Sequence, residues 1–109
     1  MKINDYYLDG DSTSDFYKWV EIFETNDAFK GIEKEVPHIL TDVDDSLIMV
    51  YKFKGKIIYL EYNLLIPDLP VCCIRTLLDL ETILGRKLDK HIVEIEDSIR
   101  NINYWNGKK

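Results

Sequence analysis

LIMVYKFKGKIIYLEYN, residues 47–63, is rich in β-branched and aromatic side chains and is interrupted only by Lys54-Gly55-Lys56. Such a stretch reads as a β-hairpin, because branched and aromatic side chains pack well on a pleated surface. Gly55 supplies the backbone angle that a tight turn requires. Most positions of both arms are apolar, so the hairpin is expected to lie centrally in its sheet or beneath helices. Two strands alone are marginal in water. A further strand is therefore expected, from His38-Ile39-Leu40 or from the N-terminal KIND, residues 2–5.

Upstream, DSTSDFYKWVEIFE (residues 11–24) offers N-cap hydroxyls at Ser12, Thr13 and Ser14 and a carboxylate, Asp15, in the first turn of a helix. Phe16, Trp19, Val20 and Phe23 follow the i, i+3, i+4, i+7 spacing of a buried helical stripe. Tyr17, Glu21 and Glu24 then share the opposite, outer face. The helix is expected to end near Asn26-Asp27, with Gly31 weakening any continuation towards Pro37.

Downstream, Pro67, Asp68 and Pro70 break the strand pattern, and a helix is expected from about Pro70. Cys73, Leu77, Leu80 and Leu84 repeat at helical spacing up to Gly85, a natural C-cap. Asp89 is read as the cap of a last helix with Ile92, Ile95, Ile99 and Ile102 on one face. The expectation is an α+β fold in one domain, 1–109: an N-terminal helix, a central antiparallel β-hairpin or small sheet, and a C-terminal αα-hairpin packed on that sheet.

A chain of 109 residues with 46% hydrophobic and 31% charged residues can bury a core without disulfide or metal staples. Its apolar runs are far shorter than the roughly 20 residues needed to cross a bilayer. The opening MKINDYYLDGDS is polar and acidic, unlike a secretory leader, so a cytoplasmic protein is expected. Cys72 and Cys73 are neighbours, too close for an easy disulfide. They are read as free thiols, with Cys73 as a small core residue. The net charge of −6 is unevenly spread: residues 1–50 carry 12 acids and 4 bases, residues 51–109 carry 8 acids and 10 bases. An acidic half repels phosphates, so direct nucleic-acid binding is not expected and a basic protein is the natural partner.

TDVDDS, residues 41–46, puts Asp42, Asp44 and Asp45 within four positions. A calcium loop starting at Asp42 would need Gly at position six and Glu at position twelve, which here are Leu47 and Phe53. No metal or other cofactor is expected, and no catalytic residue is assigned. His38 and His91 match no metal-ligand spacing. Arg86 and His91 of RKLDKH have the spacing seen in HEPN-type ribonucleases, although Lys87 stands where that family usually has Asn, Asp or His. A small ribonuclease centred on these two residues is thus an alternative.

The acidic segments DYYLDGDSTSD (5–15), EIFETND (21–27) and TDVDDS interleave carboxylates with tyrosines, a composition suited to protein recognition. In this general character the chain resembles bacterial toxin-immunity proteins of contact-dependent growth inhibition and colicin-like systems. The resemblance implies a tight one-to-one complex with the basic toxic domain of a nuclease, formed by plugging its active site or docking beside it. Asp9, Asp11, Tyr17, Glu21, Glu24, Asp42, Asp44 and Asp45 would then meet lysines and arginines that otherwise touch nucleic acid. The alternative from a neighbouring class is a phage-type inhibitor that mimics nucleic-acid charge, of the anti-restriction or anti-CRISPR kind.

Overall fold

A computed structural model describes residues 1–8, 13–36, 39–41, 46–62 and 72–108. The chain opens with β1 (Lys2–Leu8), then α1 (Thr13–Thr25) and a 3-10 turn (Asp27–Phe29). Next come β2 (Glu33–Lys34), β3 (Leu40–Thr41), β4 (Leu47–Phe53), β5 (Lys56–Tyr62) and β6 (Cys72–Thr76). It closes with α2 (Leu80–Leu84), β7 (Asp89–Glu94) and α3 (Ile99–Trp105). All strands join one antiparallel sheet in the order β2-β4-β5-β6-β1-β7, with β3 also alongside β4.

Residues 47–62 form the hairpin β4–β5, in register from Leu47↔Tyr62 to Phe53↔Lys56. The two-residue turn has positive φ at both Lys54 (49°) and Gly55 (78°), the backbone twist that matches two right-twisted strands. A meander continues into β6, and the N-terminal strand β1 inserts between β6 and β7. On one face, Tyr51, Ile58, Leu60 and Ile74 pack against Phe16, Trp19 and Phe23 of α1 and against Leu80 of α2. On the other, Ile3, Val50 and Ile57 pack against Trp105 of α3. Burial of an aromatic side chain such as Trp105 contributes about 2–3 kcal/mol.

The anticipated arrangement of an N-terminal helix, a central hairpin and a C-terminal αα-hairpin is not what forms. A strand precedes the first helix, and each C-terminal segment read as a helix is a strand followed by a short helix. Cys72, Ile74 and Thr76 are buried while Cys73 is half-buried and Arg75 exposed, the period of two of a strand. Cys72, rather than Cys73, is therefore the core thiol. Asp79 caps α2 by accepting from Thr82 N–H (3.3 Å), and Gly85 closes it in the left-handed conformation, φ 70°. Asp89 caps nothing; it begins β7, and the cap of α3 is Ser98, which accepts from Asn101 N–H at 3.1 Å. The hydroxyl of Tyr6 accepts from Leu80 N–H (3.0 Å) and so fastens the β6–α2 connection to β1.

No helix among the described residues is long and apolar enough to cross a membrane.

Candidate functional site

Helix α1 lays its aromatic stripe on the sheet and turns Tyr17, Glu21 and Glu24 outward. Tyr17 is 49% exposed, and its ring packs edge-on against Phe16 with centroids 5.5 Å apart. Glu21 is exposed one turn further on. Glu24 differs: its Oε2 accepts from the Tyr51 hydroxyl at 2.9 Å and its Oε1 lies 2.5 Å from Lys34 Nζ. Sequence spacing put Glu24 on the same stripe but gave no sign of these partners, which come from β4 and β2.

The last turn of α1 carries no basic residue. The carbonyl end of a helix is the negative end of its dipole, and carboxylates there cost stability rather than adding it. Glu24 recovers that cost through Tyr51 and Lys34. No internal ion pair of Glu21 is seen among the described residues.

Asp9, Asp11, Asp42, Asp44 and Asp45 lie outside the described residues, so only Tyr17, Glu21 and Glu24 of the anticipated surface are seen together. Tyr6 and Asp5, which sequence reading grouped with the acidic recognition segments, are both buried in β1. Asp97 pairs with the N-terminal ammonium, and Glu94 sits on β7 rather than on a helix.

A groove of about 870 Å³ runs between α1 and the α2–β7 connection, with Lys18, Trp19 and Glu21 on one wall and Glu81, Arg86 and Asp89 on the other. The Arg86 guanidinium lies over the Trp19 ring, 5.3 Å from its centroid. His91 packs edge-on to Tyr7 at 4.6 Å. Strand alternation sends His91 to the face shared with Asp5 and Ile3, opposite the face on which α1 packs. The two residues of the ribonuclease-like spacing are thus engaged by different aromatic partners. Among the described residues, no group of three or more His, Cys, Asp and Glu side chains is placed to hold a metal ion.

One cluster went unnoticed in the sequence because it assembles only across strands. Asp5 is 2% exposed, with Oδ2 3.5 Å from Arg75 Nε, while its Oδ1 is buried without a hydrogen-bond partner. Tyr7, Cys73 and His91 surround it on the same face. Burial pushes the Tyr7 phenol up, and the Asp5 carboxylate adds to that. Burial also pushes the Cys73 thiol up to about 12, with Asp5 and Glu61 reinforcing it. A thiol held protonated in this way is a poor nucleophile.

Comparison with known protein families, with curated proteins and with solved structures finds no match to this chain.

Proposed function

We propose that this chain is a small acidic binding protein: an immunity protein that neutralises a cognate basic, nuclease-type toxin domain by forming a tight complex in the bacterial cytoplasm. The supporting observation is the outer face of α1. There a half-exposed Tyr17 lies one turn from the exposed Glu21, in a helix whose last turn has no basic residue. Tyrosine on a surface supplies contact area at low conformational cost, and surrounding carboxylates accelerate encounter with a basic partner. Glu24, paired with Lys34 and bonded to the Tyr51 hydroxyl, holds the base of this face in place. The net charge of −6 acts at longer range, raising the partner's local concentration.

The test is capture of the tagged protein from cells that encode it, with washes at low and at high salt, followed by assay of what is retained. The reading predicts one small basic domain at a one-to-one ratio, with a nuclease activity that disappears on stoichiometric addition of the protein. Retention of a large nucleic-acid complex that DNA displaces would replace this reading with that of a charge mimic. RNA cleavage by the purified protein itself, lost in Arg86→Ala and His91→Ala, would replace it with the ribonuclease.

A further inference from the structure

β7 ends the sheet with one edge unpaired among the described residues, and five of its six residues are exposed. Which backbone groups face that edge follows from the β1–β7 register. The Ile95 N–H donates to Met1 O at 2.8 Å and the Met1 amino group donates back to Ile95 O at 2.6 Å, which makes them a hydrogen-bonded pair. Bonded and non-bonded pairs alternate along an antiparallel ladder. The remaining bonded pairs are therefore Ile3↔Val93, Asp5↔His91 and Tyr7↔Asp89. It follows that the N–H and C=O groups of Lys90, Ile92 and Glu94 point away from β1, to the open edge.

The side chains of those three residues share one sheet face and run basic, apolar, acidic. A two-fold axis at Ile92 brings the same strand back as acidic, apolar, basic. We propose that two copies of this chain associate through β7, antiparallel about such an axis, so that the sheet continues across the dimer. Lys90 then faces Glu94 of the second copy, Ile92 faces its own equivalent, and all three pairings fall on outward-pointing backbone groups. Ile92, 55% exposed between Lys90 and Glu94 on that face, gains an apolar cover. Lys90 also lies 3.4 Å from Glu81, a contact that an ammonium with three donors keeps while meeting Glu94. Other registers are poorer. Sliding the strands by two residues in either direction sets Ile92 against Lys90 or against Glu94 and loses both Lys90–Glu94 pairs, and a slide of four places Lys90 on Lys90 or Glu94 on Glu94, where like charges repel.

Sedimentation equilibrium across the micromolar range tests this, with circular dichroism to establish that each variant is folded. Wild type should approach twice the chain mass of 12.9 kDa as concentration rises. Glu94→Lys should remain monomeric, and the charge-swapped pair Lys90→Glu with Glu94→Lys should dimerise again. Position 92 gives a second readout that does not depend on charge. Facing residues of a bonded antiparallel pair have Cα atoms about 5.5 Å apart, within disulfide reach. Ile92→Cys should therefore form a covalent dimer on mild oxidation, while Lys90→Cys and Glu94→Cys should not. A wild-type chain that stays monomeric throughout, a dimer indifferent to Glu94→Lys, or cross-linking equal at positions 90, 92 and 94 would each overturn the proposal.

Discussion

The hydroxyl of Tyr51, in the middle of β4, donates to Oε2 of Glu24 in the last turn of α1 at 2.9 Å. This bond ties the helix that carries the exposed tyrosine to the centre of the sheet. Tyr51 is fully buried, and burial together with the Glu24 carboxylate pushes its phenol well above the usual range. Tyr51→Phe should cost about 1 kcal/mol in chemical denaturation, the net worth of one such bond. Glu24→Ala should cost more, about 1–3 kcal/mol, because it strands a buried hydroxyl. The pH dependence has a definite sign. An unfolded tyrosine ionises near pH 10. The folded protein keeps the Tyr51 proton beyond that point, so this contribution is complete below about pH 10 and is lost as pH rises further. Tyr51→Phe should flatten that alkaline decline.

The thiols give a second alkaline signature at lower pH. Burial pushes both Cys72 and Cys73 up to about 12, against about 8.5 for an unfolded thiol. Stability from this source is complete below about pH 8.5 and falls through the interval up to about 12, by at most about 1.4 kcal/mol per pH unit for each thiol. Cys73→Ala should reduce that slope. Native protein at pH 8 should also react with an aromatic disulfide reagent far more slowly than the unfolded chain, with Cys72 the slower of the two thiols.

Gly107 follows α3 with φ 68°, and a Cβ there would lie 2.6 Å from the Gly55 carbonyl oxygen and 2.8 Å from Lys52 Cε. The end of α3 is thus pressed onto the turn of the hairpin, where Lys56 also donates to the Asn106 side chain. Gly107→Ala should cost about 2 kcal/mol or more, from left-handed strain and the clash together. Gly55→Asn has open space and a residue type suited to that turn, and should cost little. Thermal melts of the two variants check the contrast.

The hairpin and α1 were legible because each carries its own signal: branched and aromatic arms around Gly55 in one, aromatic residues at helical spacing in the other. The C-terminal third misled because Cys73, Leu77, Leu80 and Leu84 satisfy helical spacing by coincidence, while Cys72, Ile74 and Thr76 satisfy strand alternation over the same stretch. Burial by distant partners decides between two such patterns, and β6 is completed by β1 from more than 60 residues away. β7 is exposed at all but one position, so it shows no apolar alternation to read. For the candidate site, helical spacing found Tyr17 and Glu21 on one face. That Glu24 serves Tyr51 and Lys34, and that Asp5, Arg75 and His91 converge, depends on strand order alone.

Charge reversal on the exposed part of α1 should separate recognition from folding. Glu21→Lys should change stability by no more than about 0.5 kcal/mol, as expected of an exposed site away from structural partners. The same change made at Glu24 should lower the melting temperature clearly, because Tyr51 and Lys34 lose their partner. Paired thermal melts of the two variants give the comparison.

The central claim is that the outer face of α1 binds a basic nuclease domain. The most direct measurement is the association rate of the purified protein with the captured domain, across a range of ionic strength, for wild type, Tyr17→Ala and Glu21→Lys. The account predicts a rate that falls as salt rises. It also predicts slowing on the order of tenfold in Glu21→Lys at low salt and faster dissociation in Tyr17→Ala, with melting temperatures unchanged. Rates insensitive to salt and equal in all three proteins would contradict it.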